Sequence, residues 1–332
     1  MKRNVLEKFK NYRKFWFFAS IAVAAVIFVL NPHGPYWLDW LAFLIVLLAL
    51  LIPQVVQMRI IGDAEAPLDR DCDPEALARC GDEMNLSAYV EHNTMGRVET
   101  VLLHRYGIAL TEVGRYEDAA QARKRIEEAL AARKRPSDSA SCAVMDMCLS
   151  DLCARLGDVE ASRAYADQFR KGLASVPAKK RQRIDENLEL VGEVTISSSW
   201  ALFSPQGTDG ASFDEGDLAK LEGGKGASRK RLIAEARMAL ASEAHDLGAA
   251  DRERALLEQV AADAPKMRVG ALAADILAGK ADGYSSLRRI DSVDAHPAVL
   301  KDYGTRTGKT QAIGSVPAIA ALSPSDLYTE LL

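Results

Sequence analysis

Five histidines and five cysteines are the side chains of this chain best suited to holding a metal or acting as a nucleophile. The histidines are His33, His92, His104, His245 and His296, and none falls in an HExxH or similar pair that would present two imidazoles on one helix face. Glu91 and His92 would make a metal site only if the fold carried them to His104. The cysteines are Cys72, Cys80, Cys142, Cys148 and Cys153; no CxxC occurs and no histidine stands at zinc-finger spacing, so no structural zinc site is expected. Cys142 and Cys153 lie eleven apart, which puts both on one helix face, where buried packing accounts for them better than redox work. Gly304 to Thr310 reads GTRTGKT and imitates a phosphate loop, but it is one residue short between the glycines. It also lacks the preceding strand that would aim backbone amides at a phosphate. No GxSxG or GxGxxG is present. These patterns predict no catalytic residue, no metal and no cofactor, and so a protein that is not an enzyme.

The elements around these residues are set by two long apolar runs at the start of the 332-residue chain. Phe15 to Leu30 is uncharged, and with Tyr12 to Lys14 it makes about 28 Å of helix at 1.5 Å per residue, close to a hydrocarbon core of about 30 Å. Asn31 to Pro35 holds two prolines and a glycine and must break the helix. A second run follows over Tyr36 to Val56. Phe15–Phe18 and Tyr36, Trp37 and Trp40 are placed as interfacial aromatics. No small-x-small cleavage site follows Leu30, which disfavours a cleaved signal peptide. A transmembrane hairpin is therefore expected over 15–58, with spans near 12–30 and 36–56 and the lipid bilayer as partner for residues 12–56.

Residues 1–58 carry six cationic and two acidic side chains, a net +4, which leaves −8 on residues 59–332 of a chain whose total is −4. The cations precede the first span and follow the second (Arg59, Arg70), so the basic segment 1–14 and residues 59–332 are both expected on the cytoplasmic side, most simply of a bacterial inner membrane. An acidic remainder argues against nucleic acid as a partner. Arg133–Arg135, Lys179–Arg183 and Arg229–Arg231 read as solvated helix ends, or as contacts to anionic lipid.

Beyond Ile60 the abundance of Ala, Leu, Glu, Arg and Asp favours helix. Start signals such as Asp73-Pro74-Glu75 and stop glycines at 114, 157 and 248 predict helices near 73–90, 97–113, 116–134, 138–156, 158–174, 178–203, 228–247, 250–263 and 267–279, and a short one over 296–303. Val194–Ile196 is β-branched and would suit a strand, but no partner strand is evident. The expected division is a first α-helical block over 59–203, a flexible loop region over 204–227, a second block over 228–281, and a mixed tail over 282–332.

The segment LLHRYGIALTEVGRYEDAAQA, Leu102 to Ala122, resembles a tetratricopeptide repeat. Gly107 stands at the family's close-packing position, and Gly114, Tyr116 and Ala119 suit its turn and second helix; Arg123 departs from it. LSDLCARLGDVEASRAYADQF keeps Leu149 and Gly157, with Val159 and Ser162 in place of the aromatic and the alanine. ARMALASEAHDLGAADRERALLEQVAADAP keeps Gly248, Leu257 and Pro265, with Glu253 where alanine is expected. The resemblance implies an all-α, TPR-like solenoid whose first helices line a concave face for a protein partner. On the matched positions that face comprises Val101, His104, Ile108, Thr111 and Glu112, then Glu235, Met238, Ser242, His245 and Asp246. The function expected is a membrane-anchored adaptor or scaffold; the alternative is an accessory subunit of a membrane transport or envelope-assembly complex.

Overall fold

The structure is a computed structural model of the full chain. It describes residues 15, 18–23, 25–26, 40–41, 43–48, 63, 65–84, 86, 97–132, 139–176, 187–203, 213–223, 229–281 and 283–288. Most of the two apolar runs, the loop 31–35, Glu91, His92, the basic clusters 133–135 and 179–183, the phosphate-loop imitation and the helix expected over 296–303 lie outside these residues. The described residues of both runs are helical, and most of their large side chains, Phe15, Phe18, Val26, Trp40 and Phe43 among them, are exposed. No helix among the described residues is long and apolar enough to cross a membrane.

The described structure is all-helical, without a strand. Its elements are α1 (Pro74–Glu83), α2 (Arg97–Glu112), α3 (Tyr116–Ala131), α4 (Ser139–Arg155), α5 (Val159–Ser175), α6 (Asn187–Phe203), α7 (Glu215–Gly223), α8 (Lys230–Asp246), α9 (Ala250–Asp263), α10 (Arg268–Leu277) and α11 (Ser285–Arg288). A further short helical segment covers 65–69. α1 begins as its sequence predicts: Asp73 accepts from the Ala76 amide at 3.0 Å, with Pro74 in the first turn. Asp158 caps α5 in the same way at 3.1 Å.

Four helices end in one turn. Gly114, Gly157, Gly248 and Gly279 all have φ between 67° and 82°, where a Cβ is strained. At each, the glycine amide bonds back three residues and the next amide five, as in Arg115 N–H to the Leu110 carbonyl at 2.8 Å and Asp158 N–H to that of Cys153 at 2.8 Å. This closure folds α2 onto α3, α4 onto α5 and α8 onto α9 as antiparallel hairpins. The first helices pack in series, α1 on α2, α2 on α4, α4 on α6 and α6 on α8, while α3, α5 and α9 sit on their hairpin partners. Gly107 permits the close approach expected of it, since a Cβ there would stand 2.9 Å from Leu152.

Two hydrophobic clusters fill the stack. One runs from Leu68 through α1–α5; the other joins Cys72 to α7–α11. α6 serves both, through Leu188 and Ile196 on one side and Val194, Leu202 and Phe203 on the other. Val194–Ile196 is therefore helical, because burial on both sides of α6 outweighs β-propensity. Two expectations are corrected. Residues 215–223, read as loop, form α7, because Leu218 and Leu221 bury one helical turn apart in the second cluster. The helix expected over 73–90 ends at Glu83, with Met84 as its C-cap.

Candidate functional site

The strongest polar feature is a closed ring of seven side chains between the hairpins. Asp69, from the 65–69 segment, accepts from Arg105 Nε of α2 at 2.7 Å and from Arg231 Nε of α8 at 2.9 Å. Arg105 Nη1 donates to His104 Nδ1 at 3.1 Å. His104 Nε2 lies 2.7 Å from Asp151 Oδ2 of α4. Asp151 Oδ1 accepts from Arg155 Nε at 2.7 Å, and Arg155 Nη2 donates to Glu235 Oε1 of α8 at 2.7 Å. Glu235 Oε2 accepts from Arg231 Nη1 at 2.6 Å, which closes the circuit. α6 joins through Ser199, whose hydroxyl donates to Asp151 Oδ1. Phe203 lies against the Arg155 guanidinium, 4.5 Å from ring centroid to Cζ.

Local sequence makes this possible. Asp151–Arg155 and Arg231–Glu235 are i,i+4 pairs, so each helix turns an acid and a base to the same side. The ring places three carboxylates among three guanidiniums and needs no net charge from His104. Buried ions are tolerable only when paired and hydrogen-bonded. The His104, Asp151, Arg155, Arg231 and Glu235 side chains are at most 2% exposed, whereas Asp69 and Arg105 form the rim at 16% and 14%.

The protonation states follow from this packing. Burial pushes His104 down to about 4 against the pull of Asp151. The imidazole is thus neutral, with Nδ1 accepting from Arg105 and Nε2 donating to Asp151. Burial alone would raise Asp151 and Asp69, but Arg155 and His104 hold the first, and Arg105 and Arg231 the second, below the usual carboxylate range. Two nearby acids move the other way. Burial pushes Glu65 up to about 7 and raises Glu112, which takes the Arg268 amide at 2.9 Å and stands 3.6 Å from Arg155 Nη1. Glu65 Oε1 and Arg231 Nη2 are buried without a hydrogen-bond partner.

No group in the ring is arranged as a nucleophile beside a base: Ser199 bonds the carboxylate, not the imidazole. Among the described residues, no three metal-ligating side chains cluster to hold an ion. What the arrangement does is join four first helices and the 65–69 segment through groups that cannot be separated cheaply.

The residues expected on an open concave face are distributed differently. His104, Ile108, Thr111, Glu235, Met238 and Ser242 are buried, and the Glu112 side chain is 1% exposed. Val101 is half-buried, while His245 and Asp246 are exposed. The reason is that the first helices close on one another, with the 65–69 segment across them. His104 and His245 do not line one groove: His245 pairs with Glu253 at 3.0 Å and lies edge-on to Tyr284 at the outer end of α8. Arg231, read as part of a solvated helix end, is fully buried. Nothing in the sequence reading marks Asp69, Arg105, Asp151 or Arg155; the available signal is the pair of acids, Asp146 and Asp151, inside the largely apolar stretch CAVMDMCLSDLCA of α4.

The departures from the repeat pattern also acquire partners. Ser162 exchanges hydrogen bonds with Ser150 across the α4–α5 hairpin and accepts from Trp200 Nε1 at 2.8 Å. Arg123 pairs with Glu127 and Asp158, and Glu253 accepts from both His245 and the Tyr284 hydroxyl. Compared with known proteins, the chain matches no family model, no curated protein and no solved structure.

Proposed function

We propose that this chain is an adaptor or scaffold of the inner membrane face, anchored by a hairpin over 15–58 and presenting a TPR-like stack over 59–281 to a protein partner. The observation that carries the reading is the repeated glycine-closed hairpin, stacked in series with its neighbours. Stacks of this kind offer extended surface rather than a cleft with converging reactive groups. The anchor is supported by the two apolar runs and by the exposed Phe15, Phe18, Val26, Trp40 and Phe43 on their helical residues, an arrangement costly in water. The orientation rests on the cationic residues that flank the runs.

Two experiments test this. After alkaline extraction of cell membranes, the full chain should stay with the bilayer; recovery in the soluble fraction without detergent would remove the anchor. Exchange of residues 1–58 for an unrelated hairpin should leave the set of proximity-labelled neighbours unchanged. Loss of that set on exchange would favour the accessory-subunit reading, in which the spans themselves make the specific contacts.

A further inference from the structure

We infer that residues 65–73 are a strap occupying the chain's own docking face, and that the same face takes an acidic helix of a partner in their place. This rests on the adaptor reading and names the partner's chemistry.

Four observations converge on the strap. Leu68 is buried in the first cluster and Cys72 in the second, so nine residues bridge both halves of the stack. Asp69 alone connects α2 to α8 in the ring, one carboxylate oxygen to each arginine. The strap leaves through Cys72 at φ 50°, the one positive-φ residue other than glycine among the described residues, a conformation that side chains adopt at a cost. Its fit is also incomplete, with Glu65 Oε1 on the strap and Arg231 Nη2 on the face both buried and unpartnered. Beyond the ring the strap is held by the burial of Leu68 and Cys72 and by Asp73, which caps α1; its other ion pairs, Lys266 with Asp73 and Arg70 with its own neighbour Asp71, face solvent on at least one side.

The face dictates what can replace the strap. Arg231 is fully buried, so withdrawal of Asp69 leaves its Nε without an acceptor and leaves Glu235, shared with Arg155, as the remaining carboxylate in the ring against that guanidinium. Any occupant must therefore bring a carboxylate to Arg105 and Arg231, and an apolar side chain to the place of Leu68. Glu65, Leu68 and Asp69 supply the pattern: two acids four apart with an apolar residue between them, on one helical turn. A partner helix of that kind that also hydrogen-bonds Arg231 Nη2 would displace the strap.

The test uses the full chain in detergent, its Asp69→Asn variant, and a fluorescent peptide of residues 65–73. In the variant, amides of 65–73 should exchange at least ten-fold faster than in the parent, while those of α4 keep their protection. The peptide should bind the variant and not the parent, and its own Asp69→Asn version should bind at least ten-fold more weakly. Unchanged exchange in the strap, or peptide binding independent of Asp69, overturns the proposal. Should the variant fail to fold, the parent decides alone: its strap should open at least ten-fold more often than Ala143–Leu152, and equal protection of the two overturns the proposal. A partner captured equally by parent and variant, on an outer face, would end the strap and leave the adaptor. Peptide exchange as predicted, with no cellular neighbour found, would do the reverse.

Discussion

α8 and α9 belong to one hairpin and solve opposite problems. α8 buries twelve of its seventeen residues, Arg231 and Glu235 included. α9 buries Leu256, Leu257 and Val260 and sends its arginines outward, to Glu215 and Glu258. The same contrast separates α4 from α5: α4 holds Asp151 and Arg155 inside, whereas α5 buries Ser162, Ala166 and Phe169 along one stripe. In the outer layer, helices are fastened by apolar area and most charges are solvated, with the largely buried Arg123 of α3 as an exception. In the inner layer, helices are fastened by apolar area and by charges that have nowhere else to go. Ion pairs of one chemistry should thus differ in worth by several kcal/mol across a single hairpin.

The largest effect is expected inside. Arg231→Met leaves Asp69 and Glu235 buried without their shared cation and should cost about 3–5 kcal/mol in urea denaturation. A loss below about 1 kcal/mol would make the ring energetically idle.

The pH profile follows next. His104 binds its proton near pH 4 when folded and near its ordinary 6.5 when unfolded. Its contribution is therefore complete above pH 6.5 and is lost as pH falls toward 4, up to about 3 kcal/mol. Glu65 runs the other way: raised to about 7 from 4.5, it contributes fully below pH 4.5 and its contribution is lost as pH rises through 7, with Glu112 adding to the same side. The two slopes oppose each other between them. In Glu65→Gln, stability should drop as pH falls from 6.5 to 4; in His104→Gln it should instead fall as pH rises from 4.5 to 7. Parallel profiles for the two variants would refute these assignments.

Gly192→Ala should cost about 1–3 kcal/mol, because a Cβ there stands 2.2 Å from the buried Phe169 ring that joins α5 to α6. Gly248→Ala meets no atom within 4 Å, and only its φ of 70° opposes it, so about 1 kcal/mol is expected. Arg254→Ala, which breaks an exposed pair on α9, should shift the melting midpoint by less than about 0.5 kcal/mol equivalent. A comparable loss from Arg254→Ala and Arg231→Met would erase the distinction between the layers.

The outer layer was legible in the residues. α9 falls on 250–263 as expected, and α3 starts at Tyr116 as expected, because amphipathic helices ended by glycine carry both their period and their stops in sequence. The inner layer was not. An i,i+4 acid–base pair reads as a solvated helix face, and Asp151–Arg155 and Arg231–Glu235 have that signature while being buried. The neighbours that distinguish the two cases come from the other pair, from α2, from α6 and from the strap, and they lie up to 162 residues away in sequence. His104 and Glu235 lie on the first helices expected of them, but they are buried between those helices rather than open on a concave face. Residues 65–69 carry no helix signal of their own, because the expected helices begin only at 73, and α7 is hidden by SPQGTDGAS and GGKGA on either side of it.

Asp69 and Arg231 clasp the two halves of the stack across its interior. A double-mutant cycle with Asp69→Asn, Arg231→Gln and the pair, followed by urea denaturation of the full chain, measures that clasp directly. A coupling of about 2 kcal/mol or more is predicted for a buried pair at 2.9 Å. Losses that simply add, within about 0.3–0.5 kcal/mol, would contradict it.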